Sequence, residues 1–316
     1  MILVALGTQD KQFERLLIKI DELIDKKIIN DEVVVQAGMT KYTSKNMRIF
    51  DFTSHDEFDK LLNDADLLIT HGGVGTIIQA LKKNKKVIAV PRLVKYKEHQ
   101  SDHQIEIIKR FSDEGYIIGL NEVDELEEAY KKVTDFKPKK FKHNNNKMIK
   151  LITDYIKEGS RVLFISSTGG HLEELLELRS LFDKYKYHLI TERTESNLKL
   201  KDKYKVSYLI YGTKVRPIIY IFKVLLNGFI SLYQYIKLRP KYIVTTGTHT
   251  AIPMAIIGRI FGSKIIYIET FANSKTKTLT GNFLYKLHIY NLFIVQWEDM
   301  LKLYPNATYG GWIFKG

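Results

Sequence analysis

The chain has 316 residues, of which 45% are hydrophobic, so it is long enough and apolar enough for two domains with their own cores. It contains no cysteine, which excludes a disulfide framework and a thiolate metal site and fits a reducing cytoplasm. Nearly all of its net charge of +13 lies in residues 159–316. No recognition-helix, zinc-finger or RNP-like pattern accompanies that charge. The basic charge therefore favours anionic lipid or a pyrophosphate-bearing substrate as a partner over nucleic acid.

Short β-branched runs alternate with longer amphipathic stretches through the first half of the chain. The pattern predicts strands at residues 2–6, 32–36, 66–70 and 86–90, and helices at 13–27, 75–84 and 102–114. This alternation is typical of a parallel α/β sheet. A polar, basic loop follows near residue 135, and a last helix is predicted at about 147–157.

A second α/β series begins after the linker Glu158-Gly159-Ser160. Its strands are predicted at residues 162–165, 187–190, 242–245, 264–268 and 292–295. Two such series predict two Rossmann-like domains that meet at a cleft. The first domain is expected to span residues 1–157 and the second residues 161–316.

Residues 217–238 form an unusually apolar segment with basic residues on both flanks. Its polar members share one helical stripe: Lys223, Asn227, Ser231, Gln234 and Lys237. Because this stripe gives the helix a face for water or protein, the segment is predicted to lie in the plane of a membrane surface, with a core helix and a spanning helix as alternatives. The side chains predicted to contact the membrane are Ile218, Ile221, Phe222, Leu225, Leu226 and Phe229.

A glycine-rich turn between a strand and a helix is the first candidate site, His71-Gly72-Gly73-Val74-Gly75-Thr76. Glycines let backbone N–H groups approach an anion, and a helix N-terminus adds partial positive charge. The turn lacks the G-x-G-x-x-G order and the P-loop lysine, which argues against NAD and against ATP hydrolysis. The polar run 98–104 after the next strand is expected at the same edge of the sheet, with a solvated loop capping a helix as the alternative.

These motifs resemble a known family. His71-Gly72-Gly73-x-Gly75, Val90-Pro91-Arg92 and Glu98-His99-x-x-Asp102-x-Gln104 are similar to the C-terminal, donor-binding domain of glycosyltransferase family 28. Residues 1–157 also resemble the catalytic subunits of two-subunit bacterial capsule and exopolysaccharide transferases and of the eukaryotic dolichol-pathway N-acetylglucosaminyltransferase. The resemblance implies a GT-B fold and a UDP-sugar donor whose diphosphate lies on the glycine-rich turn.

The same resemblance assigns the donor site. Gln79 departs from the family pattern, because many relatives carry a ribose-binding Glu at that helix position. The donor-binding residues implied are Gly7, Thr8, Gln36, His71, Gly72, Gly73, Gly75, Thr76, Gln79, Arg92, Glu98, His99, Asp102 and Gln104.

The second half carries a companion motif, Ser166-Ser167-Thr168-Gly169-Gly170-His171. Together with Thr246-Gly247-Thr248 and Ile268-Glu269-Thr270 it resembles the membrane-anchoring, acceptor-binding partner subunits of the same transferases. Single-chain members of the family place the acceptor domain first, so this order implies a fusion of two subunits or a permutation, with the helix near 147–157 crossing to the second domain. The acceptor-binding residues implied are Gly169, Gly170, His171, Gly247, Thr248 and Glu269.

The resemblance implies an inverting transfer of a sugar from a UDP-sugar to a polyprenyl-diphosphate-linked sugar, at the cytoplasmic face of the cell membrane. The general base is predicted to be His171 or Glu269. Backbone amides and helix N-termini around Gly72, Gly73 and Gly75 are expected to stabilise the charge on the leaving diphosphate, so no metal and no other cofactor is expected. The alternatives are a UDP-sugar epimerase on the same fold and a non-catalytic membrane scaffold or partner subunit for another transferase.

Overall fold

The computed structural model describes residues 1–7, 11–99, 102–212 and 217–316, without the side chains of residues 55 and 217–219. These residues form two compact units, residues 1–142 with Gly316 and residues 143–315. Each unit is built on its own parallel sheet. The predicted α/β fold with two Rossmann-like domains is confirmed.

The first unit contains a six-stranded sheet in the order β3-β2-β1-β4-β5-β6. Its strands are β1 Ile2–Ala5, β2 Val33–Gln36, β3 Arg48–Phe50, β4 Leu67–Thr70, β5 Lys86–Ala89 and β6 Ile118–Gly119. Its helices are α1 Glu14–Asp25, α2 His55–Asp64, α3 Val74–Lys82, α4 His103–Asp113 and α5 Leu126–Val133. Every residue of β1, β2 and β4 is buried, as expected of parallel strands with both faces covered.

The chain reverses its direction across this sheet between β1 and β4. It runs from β1 outward to β2 and β3, and then returns to place β4 on the other side of β1. A crevice opens at such a point beyond the carboxyl ends of the two strands, and ligands bind there in open α/β sheets. Gly7 follows β1 and His71 follows β4, so both lie at this switch point.

The second unit contains a seven-stranded sheet in the order β13-β12-β11-β10-β7-β8-β9. Its strands are β7 Arg161–Ser166, β8 Lys186–Glu192, β9 Val206–Leu209, β10 Tyr242–Gly247, β11 Lys264–Ile268, β12 Leu292–Val295 and β13 Thr308–Tyr309. Its helices are α6 Asn146–Tyr155, α7 Gly170–Leu176, α8 Pro217–Leu238, α9 Ile252–Ile260 and α10 Leu279–Lys286. The switch point here lies between β7 and β10.

Helix α6 belongs to the second unit. The preceding Asn145 donates a hydrogen bond to the Glu177 carbonyl (3.1 Å), and Lys157 N donates to Tyr242 Oη (3.2 Å). A Cβ placed on Gly310 would lie 2.8 Å from Met148 Cε, so the helix packs closely on the end of this unit. The boundary between the units therefore falls between residues 142 and 143, ahead of the helix.

Helix α8 turns its polar stripe toward the protein. Asn227 bonds both backbone groups of Ile210 (2.8 Å each), Lys223 Nζ donates to the Tyr211 carbonyl (2.9 Å), and Ser231 is fully buried. The opposite, apolar face is exposed along Ile221, Phe222, Leu225, Leu226, Phe229, Tyr233 and Ile236. This exposure contradicts the alternative of a core helix, while Ile218 lies outside the described side chains. None of the described helices combines the length and apolarity needed to cross a bilayer.

Candidate functional site

The imidazole of His71 lies at the switch point of the first unit, packed between Gly7 and Gly73. Its Nδ1 lies 3.3 Å from the Ala5 carbonyl oxygen, and since a carbonyl only accepts, Nδ1 carries the proton. Burial, aided by the positive charge of Arg92, lowers the pKa of His71 to about 3, so the ring is neutral. A Cβ at Gly7 or at Gly73 would lie 2.6 Å from His71 Cε1, which explains a glycine on each side of the ring.

Gln104 ties the glycine-rich turn to the loop after β5. Its Oε1 accepts hydrogen bonds from the backbone N–H groups of Gly72 (3.1 Å) and Arg92 (3.0 Å). A Cβ on Gly72 would come within 2.6 Å of Gln104 Cβ, so the turn packs directly on this side chain. Gln104 therefore positions two loops of the predicted donor site.

Two of the amides predicted to hold the diphosphate already have acceptors. Gly72 N–H donates to Gln104, and Gly73 N–H donates to the His71 carbonyl (2.8 Å). The next three amides, those of residues 74–76 in the first turn of α3, have no hydrogen-bond acceptor among the described residues. The structure thus moves the candidate anion cradle from Gly72 and Gly73 to the N-terminus of α3.

Arg92 points into the unit. Only 1% of the residue is exposed, and its guanidinium donates to the carbonyls of Leu6 (2.7 Å), Lys11 (2.7 Å) and Gln12 (3.3 Å). These bonds fix the path of the chain after β1. The structure gives Arg92 a positioning role at the site, and direct contact with a donor stays a prediction.

The polar run 98–104 is held by internal bonds as well. Glu98 is buried and accepts from Arg15 Nε (2.7 Å) and from Leu93 N (3.0 Å), while Asp102 Oδ1 accepts from Val94 N (2.9 Å). These bonds shape the loop that borders the switch point. The solvated-loop alternative is wrong for Glu98, His99 and Gln104, which are all buried.

The remaining predicted donor residues lie around the same edge. The Gln36 amide donates to the carbonyls of Gly7 (3.3 Å) and Asp51 (3.1 Å), and the ring of His99 stands edge to face with His103 at 4.6 Å. Thr76 and Gln79 are half-buried on α3, and Thr8 lies outside the described residues.

His171 occupies the switch point of the second unit. Its Nδ1 lies 2.7 Å from the Thr246 carbonyl oxygen, and Thr246 Oγ1 donates back to the His171 carbonyl (2.7 Å). Nδ1 therefore carries the proton, and Nε2 keeps its lone pair. Burial lowers the pKa of His171, so the imidazole is neutral near pH 7 and can accept a proton.

The glycines beside His171 leave room around it. Positions for a Cβ on Gly169 and Gly170 meet no atom of the described residues within 4 Å, and Gly169 adopts a φ of +74° that favours glycine. Gly247 also has a positive φ, and its Cβ position lies 3.7 Å from His171 Nδ1. The turn after β7 is therefore open at the edge where the resemblance places the acceptor.

Glu269 is enclosed. It accepts hydrogen bonds from Tyr304 Oη (2.8 Å), Thr278 Oγ1 (2.9 Å), Thr270 N (3.1 Å) and Tyr267 Oη (3.3 Å). Burial raises its pKa, although the three hydroxyl groups and the amide oppose that shift. A Cβ on Gly281 would collide with its Oε2, so the loop after β11 and the start of α10 close on this carboxyl group. Because both oxygens are occupied, Glu269 fits a positioning role, and His171 is the better candidate base.

Two buried carboxyl groups near this site escaped sequence reasoning. Glu192 accepts from Thr168 N (3.2 Å) and Thr250 Oγ1 (2.8 Å), so it joins the loops that follow β7 and β10. Glu174 is 2% exposed on α7 and holds the loop after β11. The only signal in the sequence was the place of Glu174 between Leu172 and Leu175, on the buried side of a short helix.

Comparisons with known proteins bear on both units. The glycosyltransferase family 28 C-terminal domain matches residues 1–158, and the family of oligosaccharide biosynthesis protein Alg14-like proteins matches residues 162–313. UDP-N-acetylglucosamine transferase subunit ALG14 of Mus musculus is 26% identical over 183 residues, covering 49% of this chain and 83% of that protein. Subunit ALG13 of Candida albicans is 27% identical over 112 residues, covering 35% of this chain and 36% of that protein.

Among solved structures, MurG of Acinetobacter baumannii is similar at 19% identity and a TM-score of 0.36. The likeness covers 43% of this chain, which spans 41% of that structure. The fold assignment rests on the two sheets and on the family match, and not on this likeness. The two family matches follow one another along the chain without overlap.

Proposed function

This chain belongs to glycosyltransferase family 28 through the C-terminal domain of that family, and we propose that it joins the two halves of a UDP-N-acetylglucosamine transferase in one polypeptide. The predicted enzyme class, a glycosyltransferase, is confirmed by this membership. The observation that carries the proposal is the succession of a family 28 domain and an Alg14-like domain, since relatives of the two halves are named as subunits of that transferase.

The donor half is proposed to bind UDP-N-acetylglucosamine at the N-terminus of α3. The leaving diphosphate gains negative charge as the glycosidic bond breaks. The amides of residues 74–76, which have no acceptor among the described residues, and the positive end of the α3 dipole stabilise that charge. The neutral imidazole of His71 supports the turn from below without adding a charge of its own.

The acceptor half is proposed to supply the general base. His171 Nε2 accepts the proton of the acceptor hydroxyl, whose oxygen bonds the anomeric carbon while the bond from that carbon to the diphosphate breaks. One displacement of this kind inverts the anomeric configuration. The bond from Nδ1 to the Thr246 carbonyl holds the required tautomer and stabilises the imidazolium that forms.

The acceptor is proposed to be a polyprenyl-diphosphate-linked sugar, met at the cytoplasmic face of a membrane. The basic charge of residues 159–316 and the exposed apolar face of α8 support this proposal. Metal independence and the bacterial capsule or exopolysaccharide setting stay predictions.

A donor panel tests the proposal. The purified chain is incubated with labelled UDP-sugars and a detergent-solubilised polyprenyl-diphosphate sugar, and organic extracts are counted. Label is expected in the lipid fraction from UDP-N-acetylglucosamine, with inverted configuration by NMR. Transfer from another UDP-sugar would refute the donor but keep the enzyme class. Conversion of the donor to its epimer, or donor binding without transfer, would refute the proposal.

A further inference from the structure

The exposed hydrophobic side chains of the second unit lie on one set of helices. Within the described residues, every large exposed apolar side chain of this unit is on α8, on α10 or within one residue of α9 or α10. We call these three helices with their exposed side chains the α8–α10 layer. Besides the α8 residues named above, its members are Val224, Ile260, Phe261, Leu279, Phe283 and Leu287.

The first two helices of this layer share one face of the sheet. The chain returns from β9 to β10 through α8 and continues in the same direction to β11 through α9, so right-handed crossovers place both helices on one side. Contacts agree with this placement. Tyr235 Oη of α8 lies 2.8 Å from Ser263 Oγ, and the Tyr235 ring stacks on that of Phe261 with 5.4 Å between centroids. Phe261 and Ser263 follow directly after α9.

Helix α10 lies on that face too. Helix α9 packs on Ile265 of β11, because a Cβ on Gly258 would be 3.1 Å from Ile265 Cδ1. Helix α10 packs on Phe293 of β12, since the ring centroids of Tyr285 and Phe293 are 5.2 Å apart. Tyr267 pairs with Phe293 in the sheet and is two residues from Ile265, so these side chains point to the same side. The three helices therefore form one continuous cover of the sheet.

Helix α10 extends this surface toward the carboxyl ends of the strands, where His171 and Glu269 lie. Leu279, Phe283 and Leu287 repeat at every fourth residue and are 82%, 37% and 57% exposed, so they form one apolar stripe. Thr278 caps this helix and also donates to the Glu269 carboxyl group (2.9 Å). The stripe thus begins directly beside the loop that follows β11.

The chain segment that contains the three helices of the layer is strongly basic. Between Asp202 and Glu298 the sequence contains 13 Lys and Arg and a single acid, Glu269, which is buried. Each of the three helices carries a basic residue in its last turn, Lys237, Arg259 and Lys286, and all three are exposed. An apolar surface with exposed basic residues at the ends of its helices complements a bilayer that carries anionic headgroups.

We propose that the whole α8–α10 layer enters an anionic bilayer as one surface, so that the end of α9 and the α10 stripe contact acyl chains together with α8. The proposed membrane contact then extends from α8 to the carboxyl end of β11, where Glu269 lies. The inference rests on the membrane association in the proposed function, but not on the identity of the donor or acceptor.

Single tryptophans in the layer provide the test. Phe229→Trp, Ile260→Trp and Leu279→Trp are each mixed with phosphatidylcholine and phosphatidylglycerol vesicles that carry brominated acyl chains. Ile18→Trp, at a half-exposed position of α1, is the matched control, and the unsubstituted chain gives the background. Loss of the added fluorescence is expected at the three layer positions and not at Ile18.

A second variant avoids large side chains. Leu279→Ser with Leu287→Ser should weaken partition into these vesicles on the order of 100-fold, because two side chains lose their transfer into hydrocarbon. Ile18→Ser with Phe52→Ser is the matched control and should leave partition unchanged.

The outcomes separate the claims. Quenching at Phe229→Trp without quenching at Ile260→Trp and Leu279→Trp would confine the contact to α8 and overturn the inference. Absence of quenching at all three positions would also overturn the membrane association. Transfer to a detergent-solubilised acceptor, measured separately, decides the enzymatic proposal in either case.

Discussion

Replacing Glu174 by glutamine tests whether burial or hydrogen bonding has the larger effect on the pKa of this buried carboxyl group. Burial raises the pKa of Glu174 from 4.5 to about 7. Donors to its oxygens oppose the shift: Thr270 Oγ1 at 2.5 Å, Gln296 Nε2 at 2.7 Å and Phe271 N at 3.1 Å. The direction of the pH dependence shows which effect is larger.

The size of the effect follows from the shift. A rise in pKa from 4.5 to about 7 corresponds to about 3 kcal/mol of unfolding free energy. Because the folded-state pKa is raised, this stabilisation is fully present below pH 4.5 and is lost as the pH rises through about 7. Glutamine does not titrate, so the unfolding free energy of the wild type minus that of Glu174→Gln should fall by about 3 kcal/mol over this range.

Urea unfolding followed by tryptophan fluorescence measures this difference. Both tryptophans, Trp297 and Trp312, lie in the second unit, and Trp297 Nε1 donates to the Phe271 carbonyl (2.8 Å). The fluorescence therefore reports on the neighbours of Glu174. Glu158→Gln, at an exposed position, is the control and should show no such trend. A difference that stays constant or grows with pH would refute the argument, since hydrogen bonding would then outweigh burial.

Three further substitutions test the site and the membrane face. His171→Ala should lower turnover roughly a hundredfold or more with UDP-sugar binding unchanged by calorimetry, and a near-normal rate would mean that another group takes the proton. Gly73→Asp should abolish donor binding, because its Cβ would press on His71 and its carboxylate would repel the diphosphate; retained UDP affinity would contradict the assigned turn. Serine at Leu225, Leu226 and Phe229 together should release the chain from sedimented vesicles without affecting UDP binding, and unchanged pelleting would show that these side chains contact protein.

The sequence predicted the interior of both sheets and missed their edges. The strands predicted at residues 2–6 and 66–70 coincide with short apolar runs, as expected of parallel strands that are buried on both faces. The four missed strands, β3, β6, β9 and β13, are the four edges of the two sheets. They have two to four residues and are only partly buried, so their composition carries little signal.

Side-chain partners distant in the chain could not be predicted. The spacing of Asn227 and Ser231 located a polar stripe on α8, but the direction of that stripe depends on the backbone of Ile210. Likewise, the glycine motif located the turn at His71. The hydrogen bond from the Gly72 amide to Gln104 joins residues 32 positions apart, so no local pattern records it. Helical and strand periodicity records which side is apolar, and not which polar atoms meet.

One measurement tests the central claim that both halves of the transferase act in one polypeptide. The purified chain, with no second protein present, is given labelled UDP-N-acetylglucosamine and a polyprenyl-diphosphate sugar, beside Gly73→Asp and His171→Ala variants. We expect labelled lipid product from the wild type and its loss in both variants, one in each unit. Product that forms only after a second subunit is added, or that persists in both variants, would contradict the account.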